Sequence, residues 1–262
     1  MSTAAATATR AQKYAPLAAP ALGFATLVGA FALVEVLIRV GAINRFVVPL
    51  PSQVLAAIPR IIVEEGILHR FWQTTQEALW ASVLLVFAGI GLGMLMFRFR
   101  LLRSACETWV AAFASAPVVL MYPLFLVIFG RSATTIVMIG FVAGLPPVIL
   151  KTIEGLAGTR TVLLDVGRSF RLDDWQLFRK ILLPAAMPSI FVGLRVGLIF
   201  ALINIVGVEF LINFGGLGQL INELAERYDL PGTYGAILFV ILASIVFFDL
   251  TERLERWLRP HR

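Results

Sequence analysis

Six stretches of this chain, at roughly residues 17–38, 74–97, 105–129, 132–152, 185–212 and 233–250, stay apolar for about the thickness of a bilayer. A helix rises about 1.5 Å per residue, so about 20 apolar residues cross the hydrocarbon core. A backbone in lipid must satisfy its own polar groups, which makes each stretch an expected spanning helix. The composition agrees: 59% of residues are hydrophobic and only 15% are charged, against roughly 25% charged in soluble domains. A soluble chain of 262 residues could not hide that much apolar surface. The expected fold class is all-α, a polytopic membrane protein of about six transmembrane helices. The first apolar stretch is followed by no small-residue cleavage site, so it is read as a retained helix and not as a leader.

The formal charge is +6, but the basic residues sit in short clusters between apolar runs. That pattern holds loops at a membrane face and argues against nucleic acid as a partner. The single cysteine, Cys106, excludes disulfide frameworks and cysteine-based metal sites, and His69 and His261 lie far apart in sequence. With the N-terminus inside, fifteen Lys and Arg fall on cytoplasmic segments and six on outer ones. The excess of basic residues in cytoplasmic loops then places both termini in the cytoplasm and favours an even number of spans.

This reading divides the chain into a disordered cytoplasmic tail at 1–16, a membrane domain at 17–250 and a cytoplasmic tail at 251–262. Gly130-Arg131-Ser132 joins the third and fourth spans as a tight hairpin. Within 51–65, Val54, Leu55, Ile58, Ile61 and Ile62 recur at helical spacing, so an outer interfacial helix is expected, with Ser52 as its cap and Pro59 bending it. Residues 213–232, with Gly215, Gly216, Gly218 and Pro231, are expected to form the main outer loop.

The longest cytoplasmic loop, 160–183, carries its own pattern. Leu163, Val166 and Phe170 fall at helical spacing, and so do Trp175, Phe178 and Leu182. Asp173 between them suits a helix N-cap, and Asp174 suits a first turn. Two short amphipathic helices are expected, broken near Arg171-Leu172, with Pro184 where a first turn tolerates proline. Their apolar faces must lie on something. The choices are the membrane surface, the protein's own helices or a cytoplasmic partner.

At these residues the chain resembles the permease subunits of ATP-driven (ABC-type) importers. Their cytoplasmic loop reads Glu-Ala-Ala, three residues, Gly, nine residues, then Ile-x-Leu-Pro. Ile181-Leu182-Leu183-Pro184 matches its end, and Asp165-Val166-Gly167 stands in the Glu-Ala-Ala place. Arg171 stands where the pattern has glycine. A left-handed turn there would cost arginine about 1 kcal/mol, or the turn has another shape. Val48-Pro49-Leu50-Pro51-Ser52, residues 141–155 (FVAGLPPVILKTIEG), and Val208-Glu209-Phe210-Leu211 followed by Gly216-Leu217-Gly218 are similar to segments of the nitrate/sulfonate/taurine subgroup.

The resemblance implies a type I importer permease in the bacterial inner membrane, half of a pair completed by a second permease subunit, identical or homologous. It implies a dimer of cytoplasmic ATPases docked on the 160–183 loop, and a periplasmic or lipid-anchored binding protein that delivers a small, often anionic, solute. The coupling residues carried over are Asp165, Gly167, Phe170, Arg171, Leu172, Trp175, Phe178, Ile181, Leu183 and Pro184. ATP and Mg would belong to the partner ATPase and no cofactor to this chain. No Gly-Lys dipeptide occurs, so the chain lacks a phosphate-cradling G-x-x-x-x-G-K-[ST] loop and is not itself an ATPase.

Charged groups inside spans usually face protein or water. Glu35, Arg195 and Glu209 fall in or near spans, and Asn204 and Asn213 add polar groups to the fifth. Arg195, Asn204, Glu209 and Asn213 are the candidate lining of a translocation path, or groups that satisfy one another and neighbouring helices. Gly89, Gly91 and Gly93 offer a small-residue surface for close helix contact. An ion-coupled secondary transporter and a non-transporting scaffold are the competing readings. Internal repeats and paired broken helices would mark the former, and no repeat is visible.

Overall fold

The computed structural model describes residues 22–258. The tail expected at 1–16, the start of the first span and residues 259–262 lie outside the described residues. Every element described is helical. The order is α1 (Leu22–Arg39), α2 (Pro51–Val63), α3 (Ile67–Leu84), α4 (Ile90–Arg98), α5 (Arg100–Phe113), α6 (Tyr122–Phe129), α7 (Ala133–Ala157), α8 (Thr161–Ser169), α9 (Asp174–Leu177), α10 (Leu183–Ile212), α11 (Gly216–Glu226) and α12 (Leu230–Leu258). α3 and α4 form one span through a π-turn at Leu85–Gly89, and a second π-turn at Phe178–Leu182 joins α9 to α10.

Among the described residues, five helices are long and apolar enough to cross a membrane. The third expected span is broken. α5 and α6 meet at 93° across Ala114–Pro117, because proline cannot donate the backbone bond that would continue α5. Pro146 and Pro147 do not break α7, which runs through them for 25 residues. The hairpin expected at Gly130-Arg131-Ser132 joins α6 to α7, with Gly130 at φ +70°.

α7 and α10 form the axis of the bundle, and small residues set their separation. A Cβ on Gly144 would sit 2.5 Å from the Gly197 carbonyl oxygen, and one on Gly197 would sit 2.7 Å from that of Gly144. Backbones touch here, which is how helices gain packing in lipid where no hydrophobic force drives them together. Gly89 and Gly93 do the same against Val148 and Thr152 of α7, while Gly91 has nothing near it. Ile136, Ile139, Ala143, Ile205 and Val208 fill the α7–α10 seam, closed by Phe125 of α6.

α2 begins as its proline dictates, with Pro51 at N1 and Leu50 as N-cap. Ser52 is therefore not the cap. Its amide and hydroxyl donate to the Glu35 carboxylate of α1, at 3.1 and 2.8 Å. Glu35 also pairs with Arg39, so it is a clamp between α1 and the start of α2. Residues 213–232 differ most from expectation. They hold α11, whose Leu217, Leu220 and Leu224 are buried against Ile61 of α2, Ile67 of α3 and Ala236 of α12. Arg60 of α2 is paired with Asp229, which holds the guanidinium above its usual range. α12 continues through residues 251–258, where the sequence predicts a tail.

Candidate functional site: the α8–α9 element

The 160–183 loop is a compact helical knob with its root in the bundle. α8 ends in a turn in which the Leu172 amide donates to the Gly167 carbonyl at 3.1 Å and the Arg171 amide donates to the Arg168 carbonyl at 2.8 Å. This pair of bonds is the Schellman arrangement, which requires a left-handed residue after the helix. Arg171 supplies it at φ +52°. Of the two alternatives at this position, the arginine adopts the glycine conformation. Asp173 then caps α9, its Oδ1 accepting the Gln176 amide at 2.7 Å.

Gly167 is the buried residue of α8. A Cβ there would lie 2.5 Å from Leu177 Cδ1 and 2.6 Å from Ile181 Cδ1, so the lack of a side chain lets α8 lie flat on the α9 segment. Phe178, Leu182 and Leu183 pack against Leu156, Ala186 and Ile190 of α7 and α10, which ties the knob to the bundle axis. Trp175 stacks on Phe178, ring centroids 5.9 Å apart and planes inclined by 25°. The two aromatics divide the work of the segment: Phe178 faces the bundle, while Trp175 stays 66% exposed. Phe170 is 77% exposed, and Val162 and Val166 of α8 are exposed too. Asp165 pairs with Arg168 at the surface, and Arg171, Arg179, Lys180 and Pro184 are also exposed. The knob thus presents an apolar, positively rimmed surface on a rigid base.

The four polar residues of α10 do not form one cluster. Arg195 lies 3.9 Å from Glu252 of α12 and is partly exposed. Asn204 is partly exposed and donates to the Phe200 carbonyl at 2.8 Å within its own helix. Asn213 ends α10 in the left-handed region, at φ +52°, and its carbonyl accepts from Arg131. Glu209 is fully buried. Its Oε1 accepts from the Thr74 hydroxyl at 2.6 Å and its Oε2 from the Gly218 amide at 2.8 Å. Thr74 in turn accepts the Leu217 amide at 2.9 Å, and Gln73 the Gly216 amide at 3.1 Å. These bonds satisfy the free amides at the start of α11, so Glu209 acts as the anchor of α11. Gln73 and Thr74 of α3 complete this cluster, and nothing in the sequence alone marks either, while Glu77 is buried one turn further along α3. Glu77 carried a legible signal, a carboxyl group inside an apolar span.

The bundle carries the α8–α9 knob between α7 and α10 and the short helix α11 between α10 and α12. The inward-facing MetNI methionine ABC transporter superimposes with a TM-score of 0.63 at 19% identity, over 72% of this chain and 94% of that one. A probable ABC transporter permease protein of Brucella melitensis is 27% identical over 90% of this chain and 93% of that relative. The taurine transport system permease protein TauC of Escherichia coli is 25% identical over 82% of each. The formylaminopyrimidine transport permease protein ThiX of Halalkalibacterium halodurans is 26% identical over 81% of this chain and 86% of that relative. Residues 85–261 match the family described as the binding-protein-dependent transport system inner membrane component. The chain belongs to that family: it is the permease subunit of an ABC importer, an integral membrane transport subunit and not an enzyme.

Proposed function

We propose that the α8–α9 knob is the docking site of a cytoplasmic ATPase dimer, and that the chain forms half of a path for a small organic solute. The observation that carries this is the pairing of exposed Phe170 and Trp175 with a base locked into α7 and α10 by Phe178, Leu182 and Leu183. An apolar surface held on a loose loop would absorb a partner's motion; one rooted in the bundle axis transmits it. Aromatic anchors of this kind commonly dominate interface affinity. ATP and Mg belong to the ATPase. Both termini lie in the cytoplasm, as the distribution of basic residues supports. A second permease subunit, identical or homologous, completes the path, and a periplasmic or lipid-anchored binding protein delivers the solute across the bacterial inner membrane.

Arg195 and Asn204, partly exposed on α10, are the residues of this chain that line the path in this reading. Relatives named for taurine, formylaminopyrimidine and riboflavin transport support a small organic solute as the cargo. The test is to tag the chain, purify it in mild detergent and identify its companions by mass spectrometry. A co-purifying protein with an intact phosphate-binding loop, lost on Trp175→Ala, supports the proposal. Isolation of the chain alone, under conditions where a known importer stays assembled, refutes it.

A further inference from the structure

We propose that the turn between α11 and α12 is the docking point of the binding protein on the outer face, with Tyr228 as its aromatic anchor. This rests on the importer reading above, which places the α8–α9 knob in the cytoplasm. α10 runs 30 residues from the knob toward α11, about 45 Å, so its two ends lie on opposite sides of the membrane. Tyr228 is 88% exposed, more than any other large hydrophobic side chain among the described residues. It also sits at φ +57°, in the left-handed region that glycine and asparagine occupy at least cost. Its amide donates to the Ala225 carbonyl and the Asp229 amide to the Leu224 carbonyl, both at 3.0 Å. The same arrangement closes α8 at Arg171; it asks for a left-handed residue and gives no reason for an aromatic one.

The turn is not free to relax. Arg227 on one side of Tyr228 pairs with Glu65 of the α2–α3 turn at 3.0 Å. Asp229 on the other side pairs with Arg60 of α2 and accepts the Gly232 amide at 3.1 Å. Both neighbours are pinned while the ring stays exposed. Backbone strain held in place by its surroundings marks functional positions, and a rigid exposed aromatic loses little entropy when a partner covers it. Residues 60–70 and 223–229 carry five carboxyl groups against three guanidinium groups, in a chain of formal charge +6. Glu65, Glu223 and Asp229 are paired with Arg227, Arg70 and Arg60. Glu64 and Glu226 are left over and exposed, and Val63 beside them is 82% exposed. An acidic rim around Tyr228 and Val63 repels anionic headgroups and fits a soluble protein with a basic rim and an apolar pocket. The family is binding-protein-dependent, so its binding protein is the soluble partner that an outer face meets.

The probe is the soluble protein of the host that stimulates ATP hydrolysis by the native transporter in lipid nanodiscs. Should no soluble protein do so, the importer reading fails together with this one. Binding of the probe is then compared between native and Tyr228→Gly transporters. The glycine removes the ring and relieves the backbone, so the variant should assemble with an unfolding midpoint no lower than native. The expected result is a dissociation constant raised at least about tenfold, the scale of an interface hot spot. A smaller rise overturns the docking surface alone. Should Tyr228→Gly assemble poorly, Tyr228→Asn, which also accepts left-handed backbone, is read in the same way. Glu64→Gln combined with Glu226→Gln should slow association and flatten its salt dependence; an unchanged rate overturns the basic-rimmed partner. A photo-crosslinking residue at position 228 should label the probe protein. Labelling of lipid or of a second permease subunit in its place overturns the proposal.

Discussion

The amide of Leu172 donates to the carbonyl of Gly167 across the end of α8, and the residue just before Leu172 is an arginine in a glycine's backbone conformation. Left-handed backbone costs a residue with a Cβ roughly 1–2 kcal/mol. Arg171→Gly relieves that strain, offset in part by the greater freedom of glycine in the unfolded chain. The expected outcome is a rise in the heat-unfolding midpoint of the purified protein. Arg171→Val should lower the midpoint, since a β-branched residue resists this region most.

Gly167 sets how closely α8 lies on the following segment. Its missing Cβ would meet the ends of Leu177 and Ile181, which are flexible enough to yield to a methyl group. Gly167→Ala should therefore cost little, whereas Gly167→Val overpacks the contact by roughly 1–3 kcal/mol. The Val variant should insert normally but stimulate its ATPase less on adding binding protein and solute. Steady-state ATP hydrolysis in proteoliposomes measures this.

Trp175 and Phe178 should separate in their effects although they stack on each other. Trp175→Ala removes an exposed surface, so stability should hold while ATPase affinity falls by about 2 kcal/mol, the scale of an interface hot spot. Phe178→Ala removes a side chain packed on the Leu156, Ala186 and Ile190 core. Stability should then fall as well, by up to the 3–5 kcal/mol typical of large core truncations. Pull-down against heat unfolding distinguishes the two.

At the α7–α10 crossing the obstacle is backbone, which cannot move aside. Gly197→Leu would drive a side chain into the Gly144 carbonyl and Val148. The helices must part, and the expected outcome is loss of assembled protein from the membrane fraction. Gly91→Leu, on a face with nothing within 4 Å, should leave assembly unchanged.

Much of this protein was legible in its sequence because lipid makes the rules local. Runs of about 20 apolar residues announced the spans, since a backbone in hydrocarbon has few alternatives to a helix. Asp173 announced the start of α9, since a cap acts within its own turn. The Leu217, Leu220 and Leu224 spacing of α11 was present but lay behind a run of glycines that reads as loop.

What only the tertiary structure decided were the meetings of distant residues. No local pattern pairs Thr74 with Glu209, or sends Ser52 to Glu35 instead of to its own helix. Nor does any pattern show that Glu209 is enclosed while Asn204, five residues earlier on the same helix, keeps an exposed edge. Periodicity names the faces of a helix; which neighbour covers each face depends on how closely Gly144 and Gly197 allow α7 and α10 to approach.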